Sequence, residues 1–126
     1  MKVGSSRTKQ LSLLIISGFY VFAGANHFVN ADFYLPLIPS YFLFPEVANY
    51  SSGFIEILFG VGLLWKATRK FSVYAIILML IVFIPVHIYF IQEGSCVGQL
   101  CVDPWIGWAR LVVIHPLLMV WAYWHR

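Results

Sequence analysis

Four stretches of this chain, residues 11–28, 46–65, 71–91 and 104–124, are each mainly apolar over about the 20 residues that a helix needs to cross a bilayer. No other feature of the sequence narrows the fold as far. Hydrocarbon offers the backbone no hydrogen-bond partners, so a single segment can cross it only if its N–H and C=O groups pair within the segment, as they do in a helix. Composition agrees: 61% of the 126 residues are hydrophobic and 10% are charged, against about 25% charged in a soluble domain. A water-soluble domain of this length has too little interior to hide so much apolar surface. The expected fold is all-α: a single transmembrane domain, residues 1–126, built as an integral membrane four-helix bundle.

Charge placement sets the expected orientation. Lys2, Arg7 and Lys9 precede the first segment, Lys66, Arg69 and Lys70 fill the turn between the second and third, and Arg126 is the last residue. Of the eight Lys and Arg residues only Arg110 stands elsewhere. An even number of spans puts the others on one side, and the positive-inside rule makes that side cytoplasmic. The N- and C-termini are then both expected to be cytoplasmic. Asp32, Glu46, Glu93 and Asp103 fall towards the other face. The net charge of +3 is spread over these topology signals, so the expected partner is the lipid bilayer and not nucleic acid. The N-terminus also imitates a secretory signal, with a basic head, an apolar run and then Ala23-Gly24-Ala25. Cleavage there would leave three spans, and retention leaves four.

Between the first and second segments lies a proline-rich outer stretch, with Pro36, Pro39 and Pro45 among Phe33, Tyr34, Tyr41, Phe42 and Phe44. The prolines forbid one continuous helix. The aromatics place the stretch at headgroup level, folded back over the outer mouth of the bundle as a lid or an interfacial anchor.

An ionisable side chain within a span costs about 2.5–3.5 kcal/mol on the lenient insertion scale, so each is expected to face protein and to have a partner. The chain has five: His27, Glu56, His87, Arg110 and His115. Counting the helical rise from the cytoplasmic helix ends puts Glu56 and His115 roughly 14 Å up, Arg110 roughly 21 Å, and His27 and His87 roughly 24 Å. Gly53, Glu56 and Gly60 share one helix face, where small residues let a neighbour approach. Ser17, Tyr20, Gly24 and His27 make a similar stripe, with Asn26 beside it. Arg110 and His115 are about 140° apart on a regular helix, so both cannot face one cavity squarely. Arg110 is then the expected partner of Glu56, either as an ion pair that fixes register or as part of a ligand or proton site. His115 precedes Pro116, which strips the carbonyl of Val112 of its donor, as Pro85 does to Ile81. A ring nitrogen at His115 can serve backbone freed in this way.

No histidines pair at i, i+4 and only one carboxylate lies within the spans, so no metal site is expected. Cys96 and Cys101 fall in the second outer loop at C-x4-C spacing, with Gly94 and Gly98 to bend it. A structural disulfide, a reactive dithiol and two free thiols are all open readings. No glycine-rich phosphate loop, nucleophile elbow or haem signature is present, so the sequence alone demonstrates no catalytic centre.

Four pieces in order carry a family resemblance: AGANHFVNADFY (23–34) with the prolines after it, SGFIEILFGVGLLW (52–65) with a basic turn after it, VFIPVHIYF (82–90), and WARL (108–111) with a closing WAYW (121–124). Together they resemble the DoxX-like family of small four-helix membrane proteins. The matching residues are Asn26, His27, Glu56 and Arg110. Many relatives carry Asn where His87 stands, and the cysteine loop is not part of the pattern. The resemblance implies a bacterial-type plasma-membrane protein and, for some relatives, association with quinone-linked or thiol redox systems, including the DoxD-type subunit of a thiosulfate:quinone oxidoreductase. The leading expectation is a binding or accessory subunit with an outward-opening polar pocket for a small amphipathic molecule such as a quinone, its head held by His27 and Arg110. The alternatives are a membrane subunit of a quinone-linked sulfur or thiol oxidoreductase, working with a redox partner, and a proton or small-solute transporter, which four short helices would favour as a homo-oligomer.

Overall fold

The computed structural model describes the backbone over residues 2–126 and side chains over residues 7–126. Lys2, counted above in the N-terminal basic cluster, lies outside the residues whose side chains are described. The order of elements is α1 (Lys2–Val29), α2 (Ala31–Tyr34) with a tight turn at Leu35–Leu37, α3 (Pro45–Gly62), α4 (Lys66–Val82), α5 (Ile84–Gln92), the strands β1 (Cys96–Val97) and β2 (Leu100–Cys101), α6 (Pro104–Ala109), a widened turn Arg110–Ile114, and α7 (His115–Trp124). The protein is all-α apart from that one short hairpin. Among the described residues, three helical stretches are long and apolar enough to cross a membrane: Arg7–Val29, Lys66–Gln92 and Pro104–Trp124. The α3 helix is not among them, because Glu46, Asn49, Ser51, Ser52 and Glu56 dilute its apolar residues.

Prolines set most of the breaks. Pro45 and Pro104 stand at the first positions of α3 and α6, where a missing N–H is harmless. Pro85 separates α4 from α5. Phe83 still donates to the Met79 carbonyl at 3.0 Å, and beyond it Val86 closes a tighter turn onto the Phe83 carbonyl at 3.1 Å. Pro116 acts differently. The helix widens over Arg110–Ile114 into a π turn, and the His115 N–H reaches back to the Arg110 carbonyl, which relieves the clash between a mid-helix proline ring and the preceding turn.

Two helix pairs make the bundle, with α1 packed most closely on α3 and α4 on α7. Glycine explains the first pair. A Cβ at Gly53 would stand 2.7 Å from the Gly24 carbonyl oxygen, and one at Gly60 would stand 3.1 Å from Tyr20 Cβ. The Ser17 hydroxyl donates to the Gly60 carbonyl at 2.7 Å and pins the crossing. The pairs are joined at the end that carries the basic turn. Here Trp121 Nε1 donates to Ser12 Oγ at 2.7 Å, and Ser12 shares a 2.9 Å hydrogen bond with Nε2 of His125. Arg69 Nε donates to the Leu63 carbonyl at 2.7 Å and Thr68 to that of Gly62 at 2.7 Å, so the basic turn also satisfies the free C-terminal carbonyls of α3. Above this end sits an apolar core of Ile16, Tyr20, Leu63, Val73, Ile76, Met79, Leu80 and Ala122.

The opposite end carries the hairpin, in which Cys96 pairs with Cys101 and the two form a disulfide. Gly98 at its tip has φ +57°, and a Cβ there would lie 2.9 Å from Cβ of Pro36. The tip therefore rests directly on the proline-rich segment. Outside, the usual distribution is inverted: Phe22, Val29, Leu43 and Leu78 are exposed while Asn49, Glu56, Ser72 and His115 are buried. Lipid is the solvent that suits such a surface.

Candidate functional site

Between the two helix pairs, above the apolar core, lies a cavity of about 910 Å³. Its polar lining comes from every helical layer: Tyr20 and His27 of α1, Tyr34 of the proline-rich segment, Asn49 and Glu56 of α3, His87 of α5, Arg110 at the π turn and His115 of α7. Most of the remaining wall is apolar, and Phe71, Tyr74, Leu78 and Val82, on one stripe of α4, are exposed as well as lining it. The cavity thus opens sideways between α3 and α4, on the surface where acyl chains would lie.

His27, Glu56 and Asn49 form one constellation. The Asn49 amide nitrogen donates to the His27 backbone carbonyl at 2.9 Å, and its Oδ1 lies 2.7 Å from His27 Nδ1. With the nitrogen committed to the carbonyl, Oδ1 can only accept, so Nδ1 carries a hydrogen. Nε2 then points at Glu56 Oε2, 3.4 Å away. Tyr34 stacks on the imidazole with ring centroids 4.1 Å apart, and Asn26 donates to the Tyr34 hydroxyl at 2.7 Å while accepting from Asn30. Asn26 itself does not line the cavity; it holds the ring that covers His27.

The expected Glu56–Arg110 pair is corrected by this arrangement. Glu56 is engaged by His27, one glycine-lined crossing away on α1, whereas the Arg110 guanidinium lies 5.2 Å from the centre of the Phe90 ring. The phase argument that kept Arg110 and His115 apart also fails, because it assumed α-helical geometry throughout. In the π turn each hydrogen bond spans five residues, which brings positions five apart nearly into line, and both residues line the cavity. His115 Nε2 donates to the carbonyl of Leu80, one residue before the carbonyl that Pro85 deprives of its donor. Its ring therefore serves the break in the neighbouring helix, not the one made by Pro116. His87 packs edge-on against it, centroids 4.8 Å apart.

Tyr20 Oη is buried in the cavity with no polar partner among the described residues, and Glu56 Oε2 has only the 3.4 Å ion-pair contact with His27 Nε2 and no hydrogen bond. Native proteins rarely leave such groups unsatisfied, so these two mark where a water or ligand belongs. Asn49 and Tyr20 were not singled out from sequence as site residues. The signal for Asn49 was present: Asn49, Gly53, Glu56 and Gly60 fall on one stripe of α3, and all four are buried.

The family model for a domain of unknown function (DUF8561) matches residues 16–126. The chain belongs to this family. Every cavity residue discussed above lies inside the matched span of the DUF8561 domain. No curated protein and no solved structure matches the chain.

Proposed function

We propose that this DUF8561 protein is a four-span plasma-membrane protein of the DoxX-like type with both termini cytoplasmic. In this reading it is a binding or accessory subunit whose cavity accepts one small amphipathic molecule, such as a quinone. The α3 helix supplies the fourth crossing: its 18 residues bury Asn49, Glu56 and the glycines against α1 while Phe54 and Leu58 face outward. The observation that carries the reading is a buried hydroxyl without a partner, Tyr20 Oη, beside Glu56 Oε2, which makes no hydrogen bond beyond its ion contact with His27, inside an otherwise mainly apolar cavity of about 910 Å³. Small-molecule sites have this character, apolar walls with a few fixed polar groups, and volumes of about 300–1,000 Å³. Asn49 and Glu56 set the His27 ring, which together with Arg110 meets the polar head. Leu37, Ile38 and Phe42 of the proline-rich segment roof the site, and the hairpin rests on that segment at Pro36.

Titrating the purified protein with a short-tailed quinone such as decylubiquinone should raise its unfolding temperature, and Glu56→Gln should remove the shift while the protein still inserts and folds. An unchanged unfolding temperature in the wild type would overturn the reading for quinones.

A second reading, as the membrane subunit of a quinone-linked thiol or sulfur oxidoreductase, draws on the Cys96–Cys101 disulfide, both of whose residues are exposed. It needs a redox partner, and a co-purified complex that holds quinone without any reductase activity counts against it. Transport of protons or solutes through a single bundle is disfavoured by the apolar core that fills the basic-turn end.

A further inference from the structure

Resting on the cavity as a binding site, we infer that its occupant is an anionic amphiphile: an acid head, carboxylate or phosphate, held by Arg110, on an apolar tail that leaves between α3 and α4.

The charge inventory of the wall leads there. A guanidinium keeps its charge at any pH a protein meets and presents five N–H donors. Among the described residues, no carboxylate oxygen lies within 4.0 Å of the Arg110 nitrogens, and the guanidinium makes no hydrogen bond. Its one partner is the face of Phe90, 5.2 Å away. Among the described residues Glu56 is the only acidic one on the wall, and its Oε2 faces His27 Nε2 at 3.4 Å, not Arg110. The other titratable groups there are His27, His87, His115 and tyrosines, none of which is an anion near neutral pH. A half-buried cation on a mainly apolar wall without a counter-ion is costly, and an acid-headed ligand supplies the missing charge.

Geometry supports the same assignment. Arg110 opens the π turn, a helix irregularity frequent at functional sites. The turn places its side chain in the cavity that His87 and Tyr20 also line, so further hydrogen-bonding groups face the same space. The exposed stripe Phe71, Tyr74, Leu78 and Val82 gives the tail an apolar exit at the lipid-facing surface. A neutral head such as a quinone's can accept hydrogen bonds from Arg110 but leaves its charge uncompensated, so within the amphipathic class an acid is the better-matched head.

The test compares three probes of one chain length, dodecanoate, dodecyl phosphate and dodecanol, by thermal-shift titration of the full chain in a non-ionic detergent. Both acids should bind the wild type at least about tenfold more tightly than the alcohol, and Arg110→Gln should bring the three to parity. Arg110→Lys should keep the preference for acids. Equal affinity of the wild type for acid and alcohol overturns the inference but leaves the cavity as a binding site, whereas no shift with any of the three removes both. Where Arg110→Gln does not fold, the acid-to-alcohol ratio of the wild type decides alone. Native mass spectrometry of a gentle extract separates the sources of the acid: a retained anion with two acyl chains assigns a bilayer lipid, and one with a single chain assigns a free amphiphile. Retention of neutral species alone overturns the inference.

Discussion

Asn49 grips both ends of His27, donating to its backbone carbonyl at 2.9 Å while its side-chain oxygen receives the ring Nδ1 at 2.7 Å. One residue of α3 thereby sets the height of α1, the rotation of the imidazole and the nitrogen presented to Glu56. Removing it leaves a part-buried carbonyl and a part-buried ring nitrogen without these partners, where a fully buried unsatisfied group costs about 1–3 kcal/mol. Asn49→Ala should therefore lower stability by about 2 kcal/mol or more, read as a drop in unfolding temperature in detergent. It should also remove the quinone-dependent shift. Wild-type stability in Asn49→Ala would mean that the two hydrogen bonds do not persist in solution.

The glycine crossing makes a paired prediction. At Gly53 a methyl group would sit 2.7 Å from the Gly24 carbonyl oxygen, a backbone atom that cannot step aside, whereas at Gly18 it would meet nothing within 4 Å. Overpacking of this kind typically costs about 1–3 kcal/mol, while alanine in an unobstructed helix gains up to about 1 kcal/mol over glycine. Gly53→Ala should destabilise and Gly18→Ala should be neutral or stabilising, measured side by side in the same detergent. The reverse order would exclude the α1–α3 crossing described above.

His125 gives the pH dependence. It lies just beyond the last apolar stretch, where burial first, and then the charges of Lys9 and Arg69, hold its pKa below the ordinary imidazole value. Ser12 accepts from Trp121 and shares a 2.9 Å hydrogen bond with Nε2 of His125. The unfolded chain takes up the proton near the ordinary value of about 6.5, and the folded one resists it to lower pH. Stability from this group is therefore intact above about pH 6.5 and declines as the pH falls through and below that value. The wild type should lose more stability between pH 7.5 and 5 than His125→Gln does. Equal slopes in the two proteins would show that the histidine is not held neutral by its surroundings.

The sequence by itself was enough for the apolar exterior and for the ionisable residues of the lining. Runs of about twenty apolar residues can only be helical in hydrocarbon, and the rarity of ionisable groups within them singled out His27, Glu56, His87, Arg110 and His115, all of which line one cavity. Helical phase brought Gly53, Glu56 and Gly60 onto one face, and the structure packs that face against α1. Partnership was another matter, because periodicity says which face a residue occupies and nothing about which helix stands opposite. The close glycine contact of α1 with α3 gave Glu56 to His27 and left Arg110 beside Phe90. A single π turn, invisible to a fixed 100° per residue, put Arg110 and His115 into one cavity. Pairing of helices and local departures from ideal geometry depend on contacts between residues distant in the chain, so only the tertiary structure could decide them.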